Sequence, residues 1–213
     1  MGFAIPAEEQ FIDFPDTGYT RMTVGDFVLF VDTAPIGPDY QPGHAHADTL
    51  TYELYYKGRK VVTDSGTSEY RGKRRAFERS TAAHNVVEVG GRNSSEAWSS
   101  HRVGARARVT VREVSQNRVF AEHNGYGLPV AREFLLSPDG LKVRDALLSM
   151  PDCPSGTTRI HLAKDAERLV SVSCQGSMRE SFEYALEFGK LEKGTVLSTA
   201  FSDNVEYMIY RAK

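Results

Sequence analysis

The chain has 213 residues, a formal net charge of -2, a pI near 6.3, and 40% hydrophobic against 25% charged residues. That is enough apolar mass for a real core in one large domain or two small ones, and the charge balance excludes a whole-molecule field that would draw in nucleic acid or an anionic membrane. No stretch approaches the roughly 18 apolar residues of a membrane-spanning helix, and "MGFAIPAEEQ" has neither the basic start nor the apolar run of a secretory signal.

In chain order, short runs rich in Val, Phe, Tyr and Leu alternate with turn signals: "GDFVLFVDT", "TLTYELYYKGRKVVTD", "HNVVEVGG", "ARARVTVREV", "RVFAEHNGY", "VAREFLLSPDGLKVRDALLS" and "VEYMIYRAK". This spacing predicts an all-β sandwich or barrel. Lys57-Gly58-Arg59 and "SPDG" at Ser137 to Gly140 each predict a hairpin, since both place permissive residues between strand-like runs. In "RARVTVREV", Val109 and Val111 fall on one face and Arg108, Thr110 and Arg112 on the other, as in a half-buried antiparallel strand. No stretch carries a helical stripe. Gly66 to Ala83 is polar, basic and irregular, which predicts a long loop of the kind that carries function. Cys153 and Cys174 are too few to staple the domain and read as structural thiols, with a disulfide between them left open.

The segment "GHAHADTLTYELYYKGRKVVTDSGT" starts at Gly43 and carries His44 and His46. Residues two apart in an extended chain face the same side, a common beginning of a metal site. Zinc accepts imidazole and carboxylate ligands, and Asp48, Asp64 and His84 are the candidates to complete the set. A pair of surface histidines is the alternative. A plain hairpin about Gly58 pairs Asp64 with Thr51 or Glu53 and leaves His46 about 16 Å back along the strand. The histidine segment must therefore bend back over the sheet, which Pro42 and Gly43 permit.

Other polar groups have two readings each. Arg71, Lys73, Arg74, Arg75 and Arg79 in "RGKRRAFER" suit bidentate contacts with carboxylates or sulfates, or else form a solvated basic loop. Glu53 could orient a metal-bound imidazole or face solvent. Tyr52, Tyr55 and Tyr56 could stack on sugars, although alternation sends at least one into the core. Trp98, the single tryptophan, is a sugar platform or a sandwich anchor. His101, His123 and His161 read as structural, and Ser65, Ser80 and Thr81 lack the nucleophile elbow of a hydrolase.

The run from "GHAHADTL" through "DSGTSEYRGKRRAFERSTAAHNVVEVGGRNSSE" closely resembles the C-terminal domain of the heparinase II/III-like polysaccharide lyases. The resemblance extends upstream into "FPDTGYTRMTVGDFVLFVD", and more loosely downstream through "AEHNGYGLPVAREFLLSPDGLKVRDAL" and "IHLAKD". It implies a single antiparallel β-sandwich of stacked sheets over residues 1–213. It also implies zinc held by His46, Asp64 and His84, organising the loops of a cleft that His44 faces as a catalytic residue. The implied substrate is an acidic, uronic-acid glycan such as a glycosaminoglycan, cleaved by a bacterial enzyme that is secreted or periplasmic.

A lyase of this kind needs a positioned acid and base, and stabilisation of the developing enolate. In the resembled enzymes much of that equipment sits in an N-terminal α/α-toroid, which these residues do not contain. The expectation is a lyase's sandwich half, inactive alone and partnered by that toroid. The alternatives are a metal-stabilised carbohydrate-binding or interaction module without catalysis, and a metal-dependent enzyme of another type. Self-association through an apolar face stays open. Neither nucleic acid nor membrane is expected as a partner.

Overall fold

The computed structural model describes residues 10–148 and 155–213. Strands β1 (Phe11–Phe14), β2 (Tyr19–Val24), β3 (Phe27–Asp32), β4 (Tyr52–Tyr56) and β5 (Arg59–Val62) form an antiparallel meander, interrupted after β3 by the long segment that carries both histidines of the first motif. Helix α1 (Gly72–Glu78) follows, then the short strands β6 (Val87–Val89), β7 (Ala97–Trp98) and β8 (Arg102–Val103). A second meander comprises β9 (Val109–Ser115), β10 (Arg118–His123), β11 (Val130–Ser137) and β12 (Gly140–Leu147). The chain ends in β13 (Gly156–Leu162), β14 (Val170–Ser173), β15 (Met178–Glu187), β16 (Lys190–Phe201) and β17 (Asn204–Arg211).

These strands make two stacked sheets that do not close into a barrel, so the fold is an all-β antiparallel sandwich. The larger sheet runs β1-β2-β3-β4-β5-β13-β16-β15, with β6 paired beside β13; the smaller runs β14-β17-β12-β11-β10-β9. Alternation decides the inner faces. Phe27, Leu29 and Val31 of β3 and Leu54 of β4 are buried from one side, and Phe134, Leu136, Leu141, Val143, Tyr207 and Ile209 meet them from the other. Tyr52 crosses the gap, its hydroxyl 3.1 Å from that of Tyr207.

Both expected hairpins are present. Lys57 and Gly58 have φ of 51° and 73°, the paired positive values of a turn whose twist matches its strands, and β11 and β12 meet at Ser137↔Gly140. Tyr52 and Tyr56 are core residues, while Tyr55 is half-buried against Phe30. Cys174 Sγ lies 3.1 Å from Thr199 Oγ1; Cys153 lies outside the described residues, so its pairing is not addressed. Among the described residues no helix is long and apolar enough to cross a membrane.

The stretch expected as a loop, Gly66 to Ala83, instead contains α1 and a 3₁₀ turn at Thr81–Ala83. The buried positions here are Arg75, Glu78 and Arg79, at 1%, 0% and 1% exposure. Their i, i+3, i+4 spacing is a helical stripe, but one written in charged residues, which a search for apolar periodicity cannot register.

Beneath the site, Arg132 of β11 is 1% exposed in the sandwich interior. It forks onto Asp145 of β12, with Nε to Oδ1 at 2.5 Å and Nη2 to Oδ2 at 2.9 Å. Its other hydrogens go to the carbonyls of Leu50, at 3.0 Å, and Asn85, and to Thr158 Oγ1 at 3.2 Å. Breaking a buried pair strands the remaining charge, which typically costs about 3–5 kcal/mol. Arg132→Ala should therefore lower the unfolding free energy in urea by about that amount, whereas Lys57→Ala, which removes an exposed pair at 3.9 Å, should cost less than about 1 kcal/mol. Equal losses would show that Arg132 is not an anchor.

Candidate metal centre

Three backbone segments are stitched together over the end of the larger sheet. Ala47 N–H donates to Arg79 O at 2.9 Å, Thr81 Oγ1 donates to Ala47 O at 2.8 Å, and Ser65 N–H donates to Ala83 O at 3.1 Å. The histidine segment bends as its position demands: a 3₁₀ turn at Pro42–His44, a turn from Asp48 O to Thr51 N–H, and Leu50 at φ 69°. Left-handed backbone is unfavourable for a leucine, and Arg132's hold on its carbonyl is what keeps it there. In "DSGT", Gly66 N–H caps Asp64 Oδ1 at 2.8 Å. A Cβ on Gly66 would lie 2.1 Å from Ala185 O, so no other residue fits.

Asn85 aligns the next residue of the site. Its amide donates to Tyr52 O at 3.0 Å and Thr63 O at 2.5 Å, and its oxygen accepts His161 N–H at 2.7 Å. His84 is thereby fixed at 1% exposure.

The result brings His46, Asp48 and His84 together, each offering a ligand atom within 4.8 Å of the others. His46 Nδ1 and His84 Nε2 are 3.3 Å apart. Two nitrogens on a tetrahedral zinc at its usual bond length are separated by about 3.3 Å, so donor type and spacing both suit that ion. Asp64 lies behind the pair: its Oδ2 meets His84 Nδ1 at 3.1 Å. The carboxylate grouped with the imidazoles is thus Asp48, and Asp64 orients His84 from the far side. Glu53 makes neither contact among the described bonds; it accepts from Lys60 Nζ at 2.6 Å and from Tyr55 OH at 3.3 Å.

The charges are strongly coupled. Burial, with His84 and Arg75 adding, pushes His46 down to about 3, so its ring is neutral. Burial alone would lower His84 too, but the hydrogen bond and charge of Asp64 outweigh it and raise this ring. Burial likewise opposes ionisation of Asp64, yet its bond to His84 holds it well below the usual carboxylate range. Asp48 is pushed up to about 7 by burial, with Asp32 and Asp64 adding and His84 opposing. The Asp64–His84 contact thus favours the charged form of both partners, and a metal at His84 Nε2 would have to displace the contact of that nitrogen with Glu78 O, 3.1 Å away. Arg75 adds a second competitor. Its Nη1 lies 2.9 Å from His46 Nε2 and donates there.

His44 is exposed at the rim of a groove of about 570 Å³ that also reaches Tyr19, Asp32, His46 and Asp48. Its ring meets Tyr70 edge-on at 5.7 Å, and Tyr70 packs in turn on Phe188 at 5.1 Å. The arginines divide. Arg71 is exposed before α1, and Arg74 bridges Glu78 at 3.1 Å and Glu183 at 3.2 Å. Arg79 turns inward, donating to Ala45 O at 3.0 Å, Ser99 O at 3.0 Å, Arg102 O at 3.2 Å and Trp98 O at 3.3 Å. Arg75 and Arg79 thus grip the chain itself. Tyr70, Asp32 and Tyr19 escaped the sequence reading, and only their closeness to the motif could have marked them.

The profile of a family described as Heparinase II/III-like, C-terminal, matches residues 6–203. The chain belongs to that family. Comparison of the heparinase-like sequence with curated proteins gave no match. Among solved structures, a heparinase III with methylated lysines superposes with a TM-score of 0.73 at 17% identity, covering 99% of this chain and 36% of its own. A heparan sulfate lyase from Pedobacter heparinus gives 0.69 at 17%, covering 92% and 35%, and another heparinase III gives 0.68 at 16%, covering 92% and 36%. At such identities the likeness is one of fold. The heparinase-like chain spans about 36% of the length of these proteins.

Of the remaining histidines of this heparinase-like domain, His123 and His161 are built into its frame and His101 is exposed. His161 is buried beside Asn85, and His101 Nδ1 lies 3.2 Å from Gly43 O. His123 is 2% exposed and accepts Gly125 N–H at 3.2 Å. Burial, with Arg132 adding, lowers His123 to about 4. The unfolded chain protonates this residue below about pH 6.5 while the folded chain does so only near 4, so its stabilising contribution is full above 6.5 and lost as pH falls through that window. Comparing wild type with His123→Gln in urea, the gap in unfolding free energy should shrink by about 3 kcal/mol between pH 7 and pH 4. A gap independent of pH would mean that His123 titrates normally.

Proposed function

We propose that this chain is the sandwich module of a polysaccharide lyase that cleaves an acidic, uronic-acid glycan by β-elimination, with one zinc held at the histidine cluster. The observation that carries the reading is the 3.3 Å approach of the buried His84 to His46, which lines the same groove as the exposed His44. Family membership supports it, as do structural neighbours that are named as heparinases and a heparan sulfate lyase.

In β-elimination a base removes the proton beside the sugar carboxylate, the bond to the glycosidic oxygen breaks, a carbon–carbon double bond forms, and the departing oxygen takes a proton. We assign a proton transfer to His44, a reading supported by its exposure at the groove and by Tyr70 packed against its ring. Arg71 and Arg74 sit where an acidic chain would pass, while Arg75 and Arg79 act by fixing the groove walls. His46, His84 and Asp48 would hold the zinc, with Asp64 orienting His84; the ion's contribution is to lock three loops in register. Enolate stabilisation is assigned to an N-terminal α/α-toroid partner, so the chain alone is inactive. Action outside the cytoplasm, secreted or periplasmic, goes with a polymeric substrate. The second reading, a carbohydrate-binding module without catalysis, is favoured by the inward commitment of Arg75 and Arg79.

Two measurements test this. Elemental mass spectrometry on untagged protein should find about one zinc per chain, lost in His46→Ala and Asp48→Asn, while Asp64→Asn weakens affinity about 10- to 100-fold, as for a ligand-orienting carboxylate. Loss in Asp64→Asn with retention in Asp48→Asn would exchange the two roles, and no zinc in wild type would overturn the metal reading. Incubation of the chain with heparan sulfate should release no unsaturated oligosaccharide. Turnover by the chain alone would show that the sandwich carries the full chemistry.

A further inference from the structure

A second groove, of about 690 Å³, is lined by Arg92, Asn93, Glu96, Trp98 and Gly125 among others, and shares no lining residue with the groove at the histidines. Nothing in the histidine cluster uses it. We propose that it is a saccharide-binding subsite for a pyranose ring bearing a carboxylate or sulfate, with Trp98 as the stacking face. The proposal rests on the reading of the chain as a module for acidic glycans.

The groove is built rather than incidental. Trp98 is 48% exposed, although its backbone is tied down: it pairs with Arg102 in the β7–β8 hairpin, and Arg79, itself 1% exposed, donates to the carbonyls of Trp98 and Ser99. The indole lies against Gly104, where a Cβ would come within 2.9 Å of the ring and 2.3 Å of Glu96 Oε2. A Cβ on Gly125 would lie 2.4 Å from Ser94 O. Bare backbone is therefore required at both places to let the walls close on one another. An apolar side chain this exposed, on a rigid support, is a surface prepared for a partner.

The polar groups around it identify the partner's chemistry. Asn93 Oδ1 accepts Thr81 N–H at 3.0 Å, which aims its NH₂ as a donor elsewhere. Glu96 Oε2 accepts Ala105 N–H at 3.1 Å, which fixes the carboxylate and leaves it a second acceptor oxygen. Arg92 is exposed, its guanidinium 5.9 Å from the Tyr126 ring centre. One cation and one carboxylate roughly cancel, so the groove lacks the positive field that a nucleic-acid strand requires. Fixed donors and acceptors beside an aromatic face suit a polyhydroxylated ring, with its C–H face on the indole, its hydroxyls on Asn93 and Glu96, and its acidic group on Arg92.

Trp98 is the only tryptophan in the chain, so its emission reports on this groove alone. The test is a titration of the whole chain with a size-defined heparin hexasaccharide, followed by fluorescence and by calorimetry, beside an uncharged hexasaccharide. A saturable emission change with the heparin probe only is expected. By calorimetry, Arg92→Ala should weaken binding at least 10-fold and Trp98→Ala further, with Trp98→Phe retaining part of the affinity and unfolding curves confirming that each variant is folded. Heparin binding that leaves the emission unchanged and is indifferent to Arg92→Ala and Trp98→Ala would sink the subsite while leaving the acidic-glycan reading intact. No binding of heparin in calorimetry would overturn both. An equal response to the uncharged probe would refute the assignment of Arg92 to an acidic group.

Discussion

A guanidinium buried between two sheets organises this molecule. Arg132 answers Asp145 within its own sheet, but its remaining hydrogens reach across to the carbonyls of Leu50 and Asn85, in the two loops that carry the histidines. One end of the histidine segment and the residue after His84 are therefore referenced to the same buried cation. A hydrophobic isostere could match the stability of such an ion pair. It could not supply hydrogens to two loop carbonyls, one of them on a leucine held at positive φ.

A second layer of buried charge extends this logic to the surface. Glu78, 0% exposed, takes the backbone N–H and hydroxyl of Ser68 and the guanidinium of Arg74, while Arg75 and Arg79 reach inward from the same helix to the loops at His46 and Trp98. A two-turn helix cannot be stable on its own. Its charged face does for this site what an apolar face does for an ordinary helix: it fixes position, by specific hydrogen bonds rather than by area. Arg75 and Arg79, which in an exposed loop would grip an anion, instead hold His46 and the loop carbonyls, so only part of the basic run is left toward solvent.

What the sequence made legible follows period and turn chemistry. The hairpins at Gly58 and Gly140 and the sandwich itself are written in alternation and in glycine placement, but the face of β9 is not: a bulge shifts the register, so Arg112, expected outward, sits opposite the buried Ala121 and reaches Asp13 and Thr33, while Val111 sits opposite Glu122 on the other face. The histidine motif was readable as a candidate metal site, and the need for its chain to fold back followed from strand rise alone. Which carboxylate lies beside the two imidazoles was not readable, because it depends on which side of His84 each one reaches, and that follows from the Gly66 turn and Asn85. Helix α1 and Arg132 stayed hidden for a common reason. Both use charge where pattern-reading expects hydrocarbon.

The central claim is that buried anchors place two imidazoles and a carboxylate to take zinc. X-ray absorption spectroscopy at the zinc edge on the loaded protein examines that first shell directly. Two imidazole nitrogens with carboxylate or water oxygen at about 2.0–2.2 Å are expected. A shell of oxygens alone, or one with sulfur, would contradict it and place any zinc elsewhere on the molecule.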